Sequence, residues 1–290
     1  MRPGPAGAAA RTNRHYDLPA AVFAAFLGRR MKYTCGLYAG EDSLDEAQER
    51  KLRFVAAQLA LTGGERVLDI GAGWGALTFF LAEELGCQIT ALTPSGTQTA
   101  HLREQAAARG LDHLVRVEQR SVYDLDATAR YHAVALVGVA EHLPELPPAL
   151  ALVRRVLRRE GRLYLSASCF RDQATYTEYA ARPASRHVTE EVFGFGVLRP
   201  LSVLVQAVEE AGLSLAGLTD LTGQYRRTIQ DWQAGLHAHR DRVDAAGGPG
   251  LAAELLRYLE TTNAGWGHTT KHYALVAARS RLGWTPEATG

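Results

Sequence analysis

Nine residues, Val67-Leu-Asp-Ile-Gly-Ala-Gly-Trp-Gly75, constrain this chain more than any others. They join an apolar run, Arg66 to Ile70, to an amphipathic one, Ala76 to Glu84, through a turn holding three glycines. A strand that enters a glycine turn and then opens a helix builds a nucleotide pocket. Bare backbone can approach the ligand there, and the first helical amides face it. Asp69, where the strand ends, adds a fixed acceptor. The spacing Gly71-x-Gly73-x-x-Ala76 also satisfies the dinucleotide fingerprint. That fingerprint asks for an acidic residue closing the second strand, to hold a ribose. Here the second run, Cys87 to Thr93, leads into Pro94-Ser95, and no acid follows before Glu104. The nicotinamide reading is weakened accordingly.

Composition limits the partners. With 290 residues, 47% of them hydrophobic, the chain can bury one substantial α/β core plus a cap. Lys+Arg is 32 and Asp+Glu 31, so no global field favours nucleic acid. The densest basic run, Arg154, Arg155, Arg158, Arg159 and Arg162, alternates with Leu152, Val153, Val156 and Leu157 and reads as the wet face of a core helix. At most it offers peripheral contact with an anionic membrane surface. Three cysteines without metal-ligand spacing fit a reduced cytoplasm, and no metal site is expected. No stretch has the length of a membrane span, and the start lacks a signal-like apolar core. Residues 1–14 are Gly/Ala/Pro-rich and read as a disordered tail.

Along the rest of the chain strands and helices alternate. A short helix at His15–Leu27, with Pro19 in its first turn, precedes a capping box, Ser43-Leu-Asp-Glu46, that opens a helix to Leu61. Strand 66–70, helix 75–85, strand 87–93, helix 95–108, strand 114–118, strand 133–138, helix 147–158 and strand 161–167 follow. After a polar, aromatic-containing break come helix 200–211, a strand near 213–221, helices at 228–240 and 251–262, and strand 271–277. This order predicts a doubly wound, mostly parallel sheet of seven strands. Residues 15–62 would form an N-terminal helical lid, and 63–290 the main domain with a substrate-cap insert at about 170–200. In such sheets ligands sit beyond the strand C-termini.

Specific motifs add a family resemblance. Asp69-x-Gly71-x-Gly73-x-Gly75 resembles motif I of S-adenosylmethionine-dependent methyltransferases. His15-Tyr-Asp-Leu18, Met31-Lys-Tyr-Thr-Cys-Gly-Leu-Tyr38 and Leu44-Asp-Glu-Ala-Gln48 closely resemble the N-terminal part of the cyclopropane fatty acid synthase family. That family includes mycolic acid methyltransferases and plant alkaloid N-methyltransferases. The likeness continues through Leu92-Thr-Pro-Ser-Gly-Thr-Gln98, Val139-Ala-Glu-His142 and Gln224-Tyr-Arg-Arg-Thr-Ile-Gln-Asp-Trp232, and is weakest between Ser166 and Leu201. It implies a Rossmann-like class I methyltransferase fold and S-adenosylmethionine as cofactor. It further implies that Tyr33 and Thr34 close over the methionine end, with Gly71, Ala72 and Gly73 lining its backbone. Thr93 and Gln98 would then contact the ribose and adenine side, and Ser121 and Val122 would flank the adenine. From the residues alone, Tyr33 also reads as packing and Thr93 as a helix cap.

In cyclopropane synthases, the resemblance implies, a bound bicarbonate is the base, held by glutamate, histidine, tyrosine and the backbone around a cysteine. Cys35, Glu141 and Tyr225 match three of those positions. The histidine belongs at the end of the fifth strand, where this chain has Ser166. The family's Phe-Pro-Gly-Gly-x-Leu-Pro-Ser segment appears as Phe193-Gly-Phe-Gly-Val-Leu-Arg-Pro200, without its usual prolines. Those departures argue against bicarbonate and ring closure, with His187 the fallback ligand. Glu141 and His142 fall after the fourth strand, where a catalytic acid–base pair is expected. The N-methyltransferase branch carries a further glutamate three residues upstream, where this chain has Gly138. Cys35 reads as a small buried residue rather than a nucleophile.

The sequence reading is therefore a cytoplasmic S-adenosylmethionine-dependent methyltransferase, acting at an alkene carbon of a hydrophobic small molecule or acyl or prenyl chain, without ring closure. The alternatives are N-methylation of an amine natural product, true cyclopropane synthesis, and a catalytically silent lipid-binding scaffold. Glu141, His142, Tyr225 and Cys35 are the candidate catalytic residues. Homo-oligomerisation is left open, and no motif names the acceptor.

Overall fold

The computed structural model describes residues 4, 6–8, 15–126 and 128–280. Strand β1 (Arg66–Ile70) has four successive buried residues, as a central strand covered on both faces must. Its parallel neighbour on one side is β2 (Gln88–Thr93), followed outward by β3 (Val115–Gln119). On its other side lie β4 (Tyr131–Val137) and then β5 (Leu157–Phe170), also parallel. The sheet continues through β8 (Thr270–Ala278), antiparallel to both β5 and the edge strand β7 (Ser214–Asp220). The order is therefore β3-β2-β1-β4-β5-β8-β7, with the two-residue β6 (Arg199–Pro200) added alongside the end of β5. The chain reverses its direction of travel between β1 and β4. That switch point leaves a crevice beyond the strand ends.

Helices cover both faces. Ser43 and Glu46 form the expected capping box and start α2 (Leu44–Gln58), which follows the short α1 (Ala20–Ala24). Helix α3 (Ala76–Leu85) is buried from Ala76 through Ala82, since α2 covers the side turned away from the sheet. Then come α4 (Gly96–Ala108) and α5 (Leu146–Val156), with α6 (Gln173–Tyr179) and α7 (Pro183–Arg186) in the insert. The chain continues with α8 (Leu201–Glu210), α9 (Thr222–Ala238), α10 (Arg240–Gly247) and α11 (Leu251–Gly265). One core lies between the sheet and α5 and α8; a second lies between the sheet and α2, α3 and α4. A third contains no strand residue. There Val22, Phe23, Phe26 and Leu27 pack with Trp232, Leu236, Val243 and Leu259, so the N-terminal segment is fastened to the last three helices.

Several boundaries differ from the sequence expectation. Helix α1 is five residues long, with Pro19 as its N-cap. The basic run is not one helix face: α5 stops at Val156, Leu157 is extended, and Arg158, Arg159 and Arg162 lie on β5. Helix α9 starts at Thr222 rather than 228, and β6 makes an eighth strand inside the segment read as an insert. The expected disordered tail, 1–14, lies almost wholly outside the described residues.

Candidate active site

Tyr33, Thr34, Gly71, Ala72, Gly73, Thr93, Gln98, Ser121 and Val122 line one cavity at the crevice between β1 and β4. Each arrives by a local rule. Gly71 and Gly73 stand at φ +69° and +59°, the left-handed turn that lets backbone form the floor. The N-terminus of α3 follows directly, directing free amides to the same place. Ser95 rather than Thr93 caps α4, accepting from the Gln98 amide at 3.1 Å. The Thr93 hydroxyl donates to Gln98 Oε1 at 2.7 Å, which fixes the amide side chain on the wall. Ser121 caps the single turn Val122–Asp124. Asp69 is the exception: it is 2% exposed, sits behind the wall, and accepts from the Thr78 hydroxyl at 2.7 Å. Burial raises its carboxyl, opposed by the nearby Lys32 and Lys51 ammonium groups.

A second cavity, of about 870 Å³, opens beside the first. Its walls include Phe170, Tyr176, Tyr179, Val188 and Phe193 from the insert, with Tyr225, Tyr258 and Trp266 from the last helices. The size suits a sizeable organic ligand. Tyr16, Tyr33, Thr34, Gly138 and His142 line both cavities, so the two spaces meet at these five residues.

Glu141 and His142 stand at that junction, on a single turn (Ala140–His142) after β4. Glu141 Oε1 accepts from the Ser168 amide at 2.5 Å, while Oε2 is buried without a partner among the described residues. Burial raises the Glu141 carboxyl, and the Ser168 amide works against that rise. His142 Nδ1 lies 3.2 Å from the Phe195 carbonyl, and its Nε2 3.1 Å from the Tyr16 hydroxyl. A carbonyl can only accept, so the hydrogen is on Nδ1 and Nε2 receives the Tyr16 hydroxyl. Burial lowers this imidazole to about 4. Tyr225 is wedged between Trp266, with ring centroids 4.4 Å apart, and His272, at 4.8 Å. Burial lifts its phenol well above the usual value. Cys35 is 1% exposed, lines neither cavity, and is raised to about 11 by burial, so it stays a thiol.

The sequence profile of the mycolic acid cyclopropane synthetase family matches residues 6–273. The chain belongs to that family. A probable fatty acid methyltransferase of Pseudomonas putida is 30% identical over 77% of this chain and 57% of its own length. A sphingolipid C9-methyltransferase of Komagataella phaffii is 27% identical over 79% of this chain and 49% of its own. The chain thus spans about half the length of these curated relatives. The cyclopropane synthase MmaA2 of Mycobacterium tuberculosis has the same fold, with a TM-score of 0.86 over 96% of this chain and 99% of that one, at 21% identity.

Within the mycolic acid cyclopropane synthetase family, this member does not gather the four bicarbonate positions around one space. Glu141 and Tyr225 reach the larger cavity; Cys35 and Ser166, each 1% exposed, are absent from the walls of both. His187, the expected fallback, is paired with Glu191 at 2.7 Å and is also absent from those walls. Four residues at or beside the junction had no role in the sequence reading: Tyr16, Lys32, Ser168 and His272. Tyr16 stood inside a quoted motif. Ser168 lies two positions beyond Ser166, on the same face of β5, a period-2 signal that was available. His272, a lone imidazole in an apolar strand, was the other.

Proposed function

We propose that this chain is an S-adenosylmethionine-dependent methyltransferase that adds one methyl to an alkene carbon of an acyl, prenyl or similar hydrophobic molecule, without ring closure. The observation that carries it is the meeting of the two cavities at Tyr16, Tyr33, Thr34, Gly138 and His142 beside the unpartnered Glu141 oxygen. The cofactor fits the smaller cavity: Gly73 is held in the left-handed conformation, and a Cβ added there would meet no protein atom closer than 4.0 Å. Bound, it supplies an electrophilic methyl. Thr34, Thr93 and Gln98 supply polar groups for its ends, and held in line it is spared much of the entropic cost of reaction.

Methylation of an alkene leaves a cation on the neighbouring carbon, which must be sheltered from water until an adjacent C–H passes its proton to Glu141, His142 or water and the alkene is restored. Tyr16, Tyr33, Phe193, Tyr225 and Tyr258 present aromatic rings around that space. Each favourably placed ring stabilises a cation by ~0.5–2 kcal/mol. The Glu141 carboxylate adds a fixed negative charge. The relatives named for fatty acid and sphingolipid methylation support a lipid-like acceptor.

N-methylation is disfavoured by one contact. Gly138 has φ +72°, and a Cβ there would meet Thr34 Cγ2 at 2.6 Å, so the extra glutamate of that branch has no room. A silent scaffold is disfavoured by the intact glycine cradle. The test is incubation of the purified protein with S-adenosylmethionine and unsaturated acyl or prenyl substrates, followed by mass spectrometry. The expected product gains one methyl carbon, keeps its alkene, and forms at a rate indifferent to added bicarbonate. A bicarbonate-dependent cyclopropane, or turnover confined to amines, would overturn the reading.

A further inference from the structure

Ser168 and His272 face each other across the antiparallel ladder of β5 and β8. Ser168 Oγ lies 3.3 Å from His272 Nδ1, and the Ser168 amide donates to Glu141 Oε1 at 2.5 Å. His272 is 1% exposed, and both its backbone groups are tied to the start of α9: its amide donates to Thr222 Oγ1 at 3.0 Å, and its carbonyl accepts from the Leu221 amide at 2.8 Å. The same helix carries Tyr225 one turn later, packed edge-on against the imidazole. The imidazole is thus held from behind and in front, and has one route for its Nδ1: the Ser168 hydroxyl.

We propose that His272 and Ser168 are positioning residues for Glu141, in a chain that fixes one carboxylate oxygen and leaves the other for the acceptor. The inference rests on the role given to Glu141 under the proposed function. A carboxylate offers acceptors only, so the Ser168 hydroxyl hydrogen turns to Glu141 and its lone pair takes the His272 Nδ1–H. Ser168 then acts on the Glu141 carboxylate through two donors, its amide, on Oε1, and its hydroxyl. Among the described residues, Oε2 is the oxygen left without a partner. The histidine that the family resemblance puts at Ser166 is absent, and an imidazole enters from the adjoining strand instead. Ser166 and Ser168 share a face of β5, and their opposite residues Ala274 and His272 share the matching face of β8.

The charged and titratable groups around Glu141 are Arg199, Cys169, Tyr16, Tyr225 and Tyr258. Those acting on His272 are Lys51 and Asp220. Loss of the serine hydroxyl removes one of the bonds that oppose the rise of the Glu141 carboxyl. The carboxylate form is the working one. Activity therefore falls as pH drops through its pKa, and raising that pKa moves the acid limb of kcat/KM to higher pH.

The test compares Ser168→Ala, His272→Leu, His272→Asn and Glu141→Gln in the full chain. Ser168→Ala and His272→Leu are expected to lower kcat roughly 10-fold, part of the ~100-fold or more that a positioned acid–base group contributes. They should also shift the acid limb upward and leave S-adenosylmethionine affinity within about 2-fold. His272→Asn keeps a donor near the Nδ1 position and should recover most of the loss, which a titrating imidazole would not allow. If Glu141→Gln retains full turnover, the reading of Glu141 fails and this inference with it. If Glu141→Gln is impaired but Ser168→Ala keeps the wild-type rate and pH profile, the inference alone fails. An asparagine variant as impaired as the leucine one overturns the positioning role. Ser168→Ala deletes a single oxygen, so it stays informative even if His272→Leu does not fold.

Discussion

Gly73 tests the cofactor cradle more cleanly than its neighbour. At Gly71 a Cβ would meet Val139 Cγ2 at 2.5 Å, so Gly71→Val disturbs the β4 turn as well as the cavity. At Gly73 the added carbon enters open space, and the main cost to folding is the positive φ, about 1–3 kcal/mol. Gly73→Ala is therefore expected to weaken S-adenosylmethionine binding at least ~10-fold, equivalent to ~1.4 kcal/mol, while the sheet remains folded. Calorimetric titration alongside circular dichroism separates the two effects, and unchanged affinity would sink the cradle. Tyr225 poses a narrower question, ring or hydroxyl. Its ring is clamped by Trp266 and His272, and burial keeps its phenol neutral. Tyr225→Phe is expected to keep turnover within about 3-fold, whereas Tyr225→Leu should lose roughly 10-fold, in line with ~0.5–2 kcal/mol for a cation over a ring. A large loss in the phenylalanine variant would assign the hydroxyl to proton transfer.

At the scale of elements, β6 and the turn after β4 depend on one side chain. Arg199 is 8% exposed and donates to the carbonyls of Ala140 at 3.0 Å, Leu143 at 2.6 Å and Pro144 at 3.0 Å. Those carbonyls bracket Glu141 and His142, so the guanidinium splints the Ala140–His142 turn to the strand. Charged hydrogen bonds of this kind are worth about 1.5–3 kcal/mol each, and an orphaned carbonyl has its own cost. Arg199→Met is expected to lower stability by about 2–4 kcal/mol in urea titration, and Arg199→Lys to recover only part of it, since one ammonium nitrogen cannot reach all the carbonyls that two guanidinium nitrogens serve. A methionine variant of wild-type stability would show the splint to be idle. Sequence alone showed Arg199 only as a departure from the family's proline pattern. Two residues of strand are too short to carry a period, and the carbonyls they serve lie more than fifty positions away. The long central strands were legible because continuous apolar runs end at turn residues. The start of α9 was not, since Thr222 to Arg227 is polar and is pinned from other elements: Trp266 Nε1 donates to the Thr222 carbonyl.

Over the whole molecule, the doubly wound order and the position of the smaller cavity followed from the glycine turn and the alternation of elements, both local patterns. What stayed hidden was long-range. The third core joins residues 22–27 to 229–259, and the Ser168–His272 contact spans 104 positions. Three imidazoles are shielded from water, His15 and His272 buried and His142 half-buried, with a consequence for the whole fold. Burial lowers His15 to about 3, with His142 adding to the effect; it lowers His142 to about 4, and His272 to about 3. A histidine unfolds to a pKa near 6.5, so the unfolded chain binds protons that the folded one refuses. Stability from these groups is fully present above pH ~6.5 and is lost as pH falls from there towards their folded values. The raised Glu141 and Asp69 act in the opposite sense, because folding increases their proton uptake as the medium becomes acidic. Burial lowers His101 and His132 in the same sense, so the groups that lose stability on acidification outnumber the two that gain it. The net expectation is a melting temperature that declines steadily between pH 6.5 and 4.5. His272→Asn should make that decline shallower, because it removes one of these groups while keeping the contact to Ser168. A melting temperature that stays flat down to pH 5 would show that these imidazoles are not buried in the neutral form.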